Sequence, residues 1–290
     1  MTGGVMPGGV VPGGPAPGAA FALLDGHGPR YRLTAGEPPT HEPGWLAAHR
    51  LLDPYGAELA VLLDTEHRGS GHRTAHAAAL TLIAVYAGRV TAAAVLYWAL
   101  TGRVLDVRPK NVLVRPDPGH GIADVRLRVP RLLDPPPATH PPASSTPSAP
   151  SASFPSAPSP SSLALLQQTV LSAHLLPLAT ALHRRTRAGL RQLRGGVAHG
   201  CATALAASRA DPALMARRWS AFARSAPGGL ADLGEVATVT RPDGTPRLVY
   251  LRRTCCLFYT SAEAVRCASC CLTSVDDRLA AYARQPRQPS

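Results

Sequence analysis

Apolar positions follow a helical period over residues 70–100, almost without interruption. Ser70 stands where an N-cap would, and Gly102 follows the run. The pattern predicts a long buried helix, broken near Gly88 and ended by Gly102. Residues 45–63 also read as helix, interrupted at Asp53-Pro54. The period then drops to two. Residues 104–108, 111–115 and 122–129 alternate as strands around a turn at Pro116-Asp-Pro-Gly119, predicting a small antiparallel sheet. Helical spacing returns over 162–193, 197–208 and 211–224. Pro177 kinks or divides the first of these, and Asp211-Pro212 supplies an N-cap followed by proline at the first helical position. Two apolar runs, 235–240 and 247–251, then flank Pro242-Asp243-Gly244, a hairpin that delivers the chain into Cys255-Cys256.

These elements predict an α+β fold, mostly α: a helical body, small antiparallel β elements and a C-terminal cysteine motif. Composition sets the divisions. Residues 1–19 are a Gly/Pro-rich tail, 20–133 a first α+β segment, 162–285 a helical segment ending in the cysteines, and 286–290 a tail. Residues 134–161 are almost all Pro, Ser and Ala and read as a linker or inserted loop, because they bury too little apolar area to offset chain entropy.

The net charge of +12 would suit a polyanion, but the arginines are dispersed and aromatic residues make up 5% of the chain. Little is left to stack on bases, so the charge reads as a solvated arginine surface and not as a nucleic-acid interface. The first twenty residues lack the charged and apolar regions of a secretion signal. The best membrane-span candidate, residues 77–100, carries Arg89 near its middle. A charge there costs about 2.5–3.5 kcal/mol at a bilayer centre. The segment reads instead as a buried helix, and the chain as cytoplasmic with no transmembrane span. Thiols stay reduced in the cytoplasm.

The strongest chemical signal is a cluster of five of the six cysteines: Cys255-Cys256, ten residues, then Cys267-x-x-Cys270-Cys271. Clustered thiols hold metal or crosslink the chain. A reducing compartment disfavours disulfides. Zinc sites commonly use Cys-x₂₋₄-Cys at both ends, and this chain has that unit at one end only. Neighbouring side chains of an extended backbone point to opposite faces, so Cys255 and Cys256 share one ion only if the chain turns there. A two-iron cluster is larger, takes four thiolates and accepts odder spacing, which makes iron–sulfur the better choice of the three.

The run Arg252-Arg253-Thr254-Cys255-Cys256-Leu257-Phe258-Tyr259, followed by Cys267-Ala-Ser-Cys270, resembles the C-terminus of FhuF-type ferric-siderophore reductases. The resemblance is strongest over residues 250–272 and looser back to about residue 163. Where that family often has Trp-Gly-Asn-x-Ala-Ser, this chain has Ala198-His199-Gly200-Cys201-Ala202-Thr203. The resemblance implies a [2Fe–2S] cluster held by Cys255, Cys256, Cys267 and Cys270, with Cys271 a spare thiol. It implies reduction of Fe(III) in a ferric siderophore, of the hydroxamate type, releasing Fe(II). Arg252, Arg253 and Arg266 flank the cysteines as candidates for tuning the cluster or contacting substrate. Other readings of the same thiols are an iron–sulfur electron-transfer or accessory protein without its own substrate, and a zinc-stabilised structural domain.

Nothing beyond the cluster reads as catalytic. There is no Gly-x-Gly-x-x-Gly in a strand–helix context and no phosphate loop, so an external electron donor, a ferredoxin or flavin reductase, is expected. His72 and His76, spaced i,i+4 with His67 nearby, read as a solvated helix face. Cys201 reads as a small core residue.

Overall fold

The computed structural model describes residues 17–134 and 158–285. The tails and most of the Pro/Ser-rich stretch lie outside the described residues. The chain opens with α1 (Pro17–Asp25), β1 (Thr34–Ala35) and β2 (Leu46–Ala47). There follow α2 (Ala57–Ser70), α3 (Ala75–Val90), α4 (Ala92–Thr101), β3 (Val104–Leu105), β4 (Val112–Pro116), β5 (Ile122–Leu127) and β6 (Leu132–Leu133). The second half holds α5 (Pro160–Gln167), a π-helical stretch (Gln168–Leu175), α6 (Leu176–Thr186), α7 (Leu190–Ala206) and α8 (Pro212–Arg224). It ends in β7 (Gly234–Thr240), β8 (Pro246–Arg252) and α9 (Val275–Arg284). The fold is α+β and mostly α, as the sequence pattern predicts.

The main sheet has the order β1-β5-β4-β2. β4 pairs antiparallel with both β5 and β2, while β1 joins β5 in parallel, an edge that periodicity does not reveal. The β7–β8 hairpin is antiparallel through seven paired positions and turns at the expected Pro242-Asp243-Gly244.

Several boundaries differ from the sequence reading. The 45–63 segment is not one broken α-helix: residues 46–47 pair with β4, residues 48–52 form a 3₁₀ turn, and the helix begins at Ala57. Ser70 ends α2 and does not cap α3, because its hydroxyl bonds back to the Glu66 carbonyl (2.6 Å). Thr74 is the N-cap, accepting from the Ala77 N–H at 3.4 Å. The break in the long apolar run falls at Thr91, where α3 and α4 meet at 43°. Gly88 stays helical. Pro160 starts a helix inside the expected linker, capped by Ser159. Pro177 does not divide its helix, which runs unbroken over residues 160–186; instead the turns before it widen to the π form. That widening suits a residue with no N–H to give and a ring that crowds the carbonyl four residues back.

The break comes at Arg187, which takes a left-handed conformation (φ 61°), and not near Gly195-Gly196. Those glycines lie within α7, which packs lengthwise on α3. A Cβ at 196 would stand 2.6 Å from Ile83 Cγ2, and one at 200 would stand 2.5 Å from Ala87 Cβ. Absent side chains therefore let the two helices approach, at a helix-propensity cost of about 1 kcal/mol per glycine. One core runs from Ala20 to Tyr250 and includes Trp98, Tyr86, Cys201 and Phe222. By length and composition, residues 160–186 could cross a membrane, but half of that apolar window is buried inside the protein.

Candidate metal centre

β8 carries the chain out of the hairpin and α9 closes the other side, so the cysteine loops lie between two anchored elements. The segment 253–256 leaves the strand, and Leu257 adopts a left-handed φ of 57°. This turn follows the two cysteines and directs the chain into the next loop. A 3₁₀ turn over Phe258–Thr260 follows. The Cys270 N–H bonds to the Cys267 carbonyl (2.9 Å), closing the tight turn of the Cys-x-x-Cys unit. Ser274 then caps α9 by accepting from the Asp277 N–H at 3.1 Å.

Cys256 and Cys270 are buried; Cys255, Cys267 and Cys271 are half-buried. Cys256 Sγ and Cys267 Sγ are 3.6 Å apart across ten intervening residues. The short contact between the two thiols drives them apart: the Cys256 thiol is lowered, with Arg252 and the Phe258 backbone N–H adding to the effect against its burial, and the Cys267 thiol is pushed up. Cys255 Sγ accepts from the Leu257 N–H at 3.4 Å. Cys271, set aside by spacing, faces Cys255 and Cys270; burial, then these two neighbours, raise its thiol. Among the described residues no three His, Cys, Asp or Glu side chains converge as a single-ion site. The thiols gather in pairs, Cys256 with Cys267 and Cys255 with Cys271.

The three flanking arginines separate clearly. Arg252 is 3% exposed, and its Nε and Nη2 have no hydrogen-bond partner. Its field favours the thiolate at Cys256, Cys267 and Cys271. Arg253 is exposed and lies 3.5 Å from the Glu235 carboxylate, and Arg266 is exposed. A buried cation with free N–H groups is costly unless an anion faces it. Four thiolates around two irons and two sulfides carry net negative charge in either oxidation state, so the soft donor set and the unpaired guanidinium both fit an iron–sulfur group.

The loop is held from behind by His72, whose spacing with His76 suggests a solvated face, and by residues that no spacing singles out. His72 lies in the α2–α3 connection, not on a solvated helix face. It is buried, with Nδ1 3.2 Å from Thr260 Oγ1 and Nε2 2.8 Å from Thr81 Oγ1. Phe258 sits between the rings of His72 (6.2 Å) and His120 (6.4 Å). His120 is ion-paired at 2.8 Å with Glu66, which is buried, and the hydrogen bond that the imidazole donates to that carboxylate raises it. His76 is exposed and takes no part. No sequence signal ties residues 66–72 to residue 258; the connection is purely tertiary.

Residues 252–272 match the family model described as the FhuF 2Fe-2S C-terminal domain. No curated protein matches the chain. The match begins at the buried Arg252 and ends just past Cys271, covering the whole cysteine segment and none of the helical body. The cofactor of this segment is a [2Fe–2S] cluster.

Proposed function

We propose that the protein is a cytoplasmic ferric-siderophore reductase whose cluster is held by Cys255, Cys256, Cys267 and Cys270. The observation that carries the reading is the buried, unpartnered Arg252 guanidinium beside a cysteine set that matches a 2Fe–2S domain. A bound [2Fe–2S] group supplies one electron at a time, which is what Fe(III) needs to become Fe(II). Fe(II) is less charged and softer, so hard oxygen donors release it more readily.

The chain's own residues do the rest. Arg252 holds negative charge at the site, favouring the reduced form. The N–H groups of Leu257 and Phe258 donate to the sulfurs of Cys255 and Cys256 and offset charge there. Half-exposure of Cys255 and Cys267 leaves one edge open to solvent, where a donor protein such as a ferredoxin or flavin reductase can pass an electron.

The test is a rapid-mixing experiment on anaerobically reduced protein, with a ferrous chelator trapping product. Reoxidation accelerated by a ferric siderophore, with one Fe(II) trapped per electron, is expected. Reoxidation no faster than without siderophore would favour the electron-transfer or accessory reading. Zinc in place of iron, with no visible absorption, would end both.

A further inference from the structure

A cavity of about 820 Å³ opens between the Pro29 turn, the α7–α8 junction and the β7–β8 hairpin. Arg30, Arg209, Arg241 and Arg247 line it. None of the four is ion-paired with a described carboxylate. The one acidic residue in the lining, Asp211, is committed to capping α8 through the Ala213 and Leu214 N–H groups. The Arg241 Nε is buried with no hydrogen-bond partner. Burial, then the neighbouring Arg241 cation, lowers Arg247. Arg209 donates to the Gly26 carbonyl (3.3 Å) and Arg247 to that of Tyr282, so two of these side chains meet neutral oxygens, Arg241 and Arg247 repel each other, and an anion on this concave surface would meet net positive charge. The volume falls in the range of small-molecule sites, roughly 300–1,000 Å³.

The cavity is also joined to the metal centre. The Arg247 guanidinium stands 5.7 Å from the Tyr282 ring centre and donates to the Tyr282 carbonyl at 3.3 Å. The Ser269 hydroxyl lies near the Tyr282 phenol, whose own hydroxyl donates to the Tyr250 carbonyl at 3.5 Å, and stands 3.8 Å from Cys267 Sγ. Two side chains, Tyr282 and Ser269, therefore bridge the arginine cavity and a candidate ligand of the cluster.

We propose that this cavity binds a polycarboxylate anion and that the substrate is an anionic, carboxylate-type ferric chelate held there by the four arginines. This assignment rests on the reductase reading above. The step would balance: a cluster held by the cysteines would supply one electron and be oxidised by one, and the chelated Fe(III) would take it up to become Fe(II), with Tyr282 and Ser269 lying between Arg247 and Cys267. An external donor protein restores the electron. A neutral or cationic hydroxamate chelate gains nothing from such a cavity.

The experiment is calorimetric titration of citrate, of ferric citrate and of inorganic phosphate into the cluster-loaded protein. Arg209→Glu, Arg241→Glu and Arg209→Lys proteins are run alongside. Arg209 is exposed at the rim, so its replacement leaves the core intact. Citrate and ferric citrate are expected to bind, each glutamate variant to weaken binding at least tenfold, and Arg209→Lys to stay close to wild type. No citrate binding, binding indifferent to the reversals, or phosphate bound equally well would overturn the proposal. Rapid mixing of the reduced protein with ferric citrate and with a cationic ferric hydroxamate separates the two levels. Hydroxamate reduction without citrate binding would discard the cavity assignment and keep the reductase. Citrate binding with no reoxidation by either chelate would discard the reductase, and the substrate assignment with it, leaving an anion site.

Discussion

Gly195 of α7 lies directly against Thr254, the residue before Cys255, so that a methyl group at 195 would overlap the Thr254 hydroxyl. Thr254 is 4% exposed and its Oγ1 has no hydrogen-bond partner, so packing alone seats it. The helical body thereby fixes where the cysteine segment starts. Gly195→Ala should push Thr254 and Cys255 outward and cost about 1–3 kcal/mol, the usual range for overpacking. Thermal unfolding followed together with visible absorbance checks this. An alanine protein with unchanged melting and unchanged colour would show that the contact positions nothing.

The ligand set makes a second prediction. Purified anaerobically, the protein should hold about two irons per chain. Cys256→Ser or Cys267→Ser should lose the visible bands, while Cys271→Ser keeps them. Because Cys271 stands beside Cys255 and Cys270, a Cys255→Ser protein that retains colour, and loses it on the further change Cys271→Ser, would reassign the fourth ligand.

Legibility along the chain follows the range of the interaction. The hairpin, the Asp211-Pro212 start, the Gly102 stop and the cysteine set are local, and residue type and spacing specify them. The Ser70 and Gly195-Gly196 signals misled because tertiary demands won. Ser70 satisfied its own helix's carbonyl, and the glycines were spent on the α3–α7 approach and the Thr254 contact. Spacing named Arg252, Arg253 and Arg266 as equals, and only burial distinguishes the first. The spacing of His72 draws notice but suggests a solvated position, and Glu66 and His120 give no signal, because nothing local records that they meet at Phe258.

Arg252 carries the third prediction. Reduction adds negative charge to the centre, and a buried cation at this position stabilises the reduced form more than the oxidised one. Arg252→Met should therefore lower the midpoint potential by at least about 60 mV, the one-electron equivalent of tenfold. Arg253→Gln and Arg266→Gln should shift it far less, since exposed charges are screened. Redox titration of the three variants decides; equal shifts would remove Arg252 from its special place.

His72 ties the back of the loop through Thr260 and Thr81. His72→Ala should remove both hydrogen bonds and the edge contact to Phe258 while leaving every cysteine in place. With each bond worth about 1 kcal/mol, the release of iron to a chelator should speed up roughly fivefold or more. Release at the wild-type rate would mean that the loop is held by the cysteines alone.

His174 makes the protein acid-sensitive in a defined window. It is fully buried between α3 and the β3 region, with Nδ1 donating to the Val107 carbonyl (2.7 Å) and Nε2 accepting from the Tyr86 hydroxyl (2.8 Å). The bond from Tyr86 requires the neutral ring; the bond to Val107 favours the protonated one, but burial outweighs it and pushes the pKa down from 6.5 to about 4. The unfolded chain therefore binds a proton that the folded chain refuses as the pH falls from 6.5 toward 4, and stability falls across that interval. At about 1.4 kcal/mol per unit the full loss is on the order of 3 kcal/mol. His72 and His199 are also lowered by burial and act in the same direction. His120, raised by Glu66, acts oppositely: its contribution is full below 6.5 and fades as the pH rises through its elevated value. Urea unfolding at pH 7.5 and pH 5 should give wild type a clear loss at the lower pH. His174→Gln, less stable at both values, should lose distinctly less between them, because glutamine keeps the polarity without the proton. An equal loss in the two proteins would place the acid sensitivity elsewhere, in His199 or in the carboxylates.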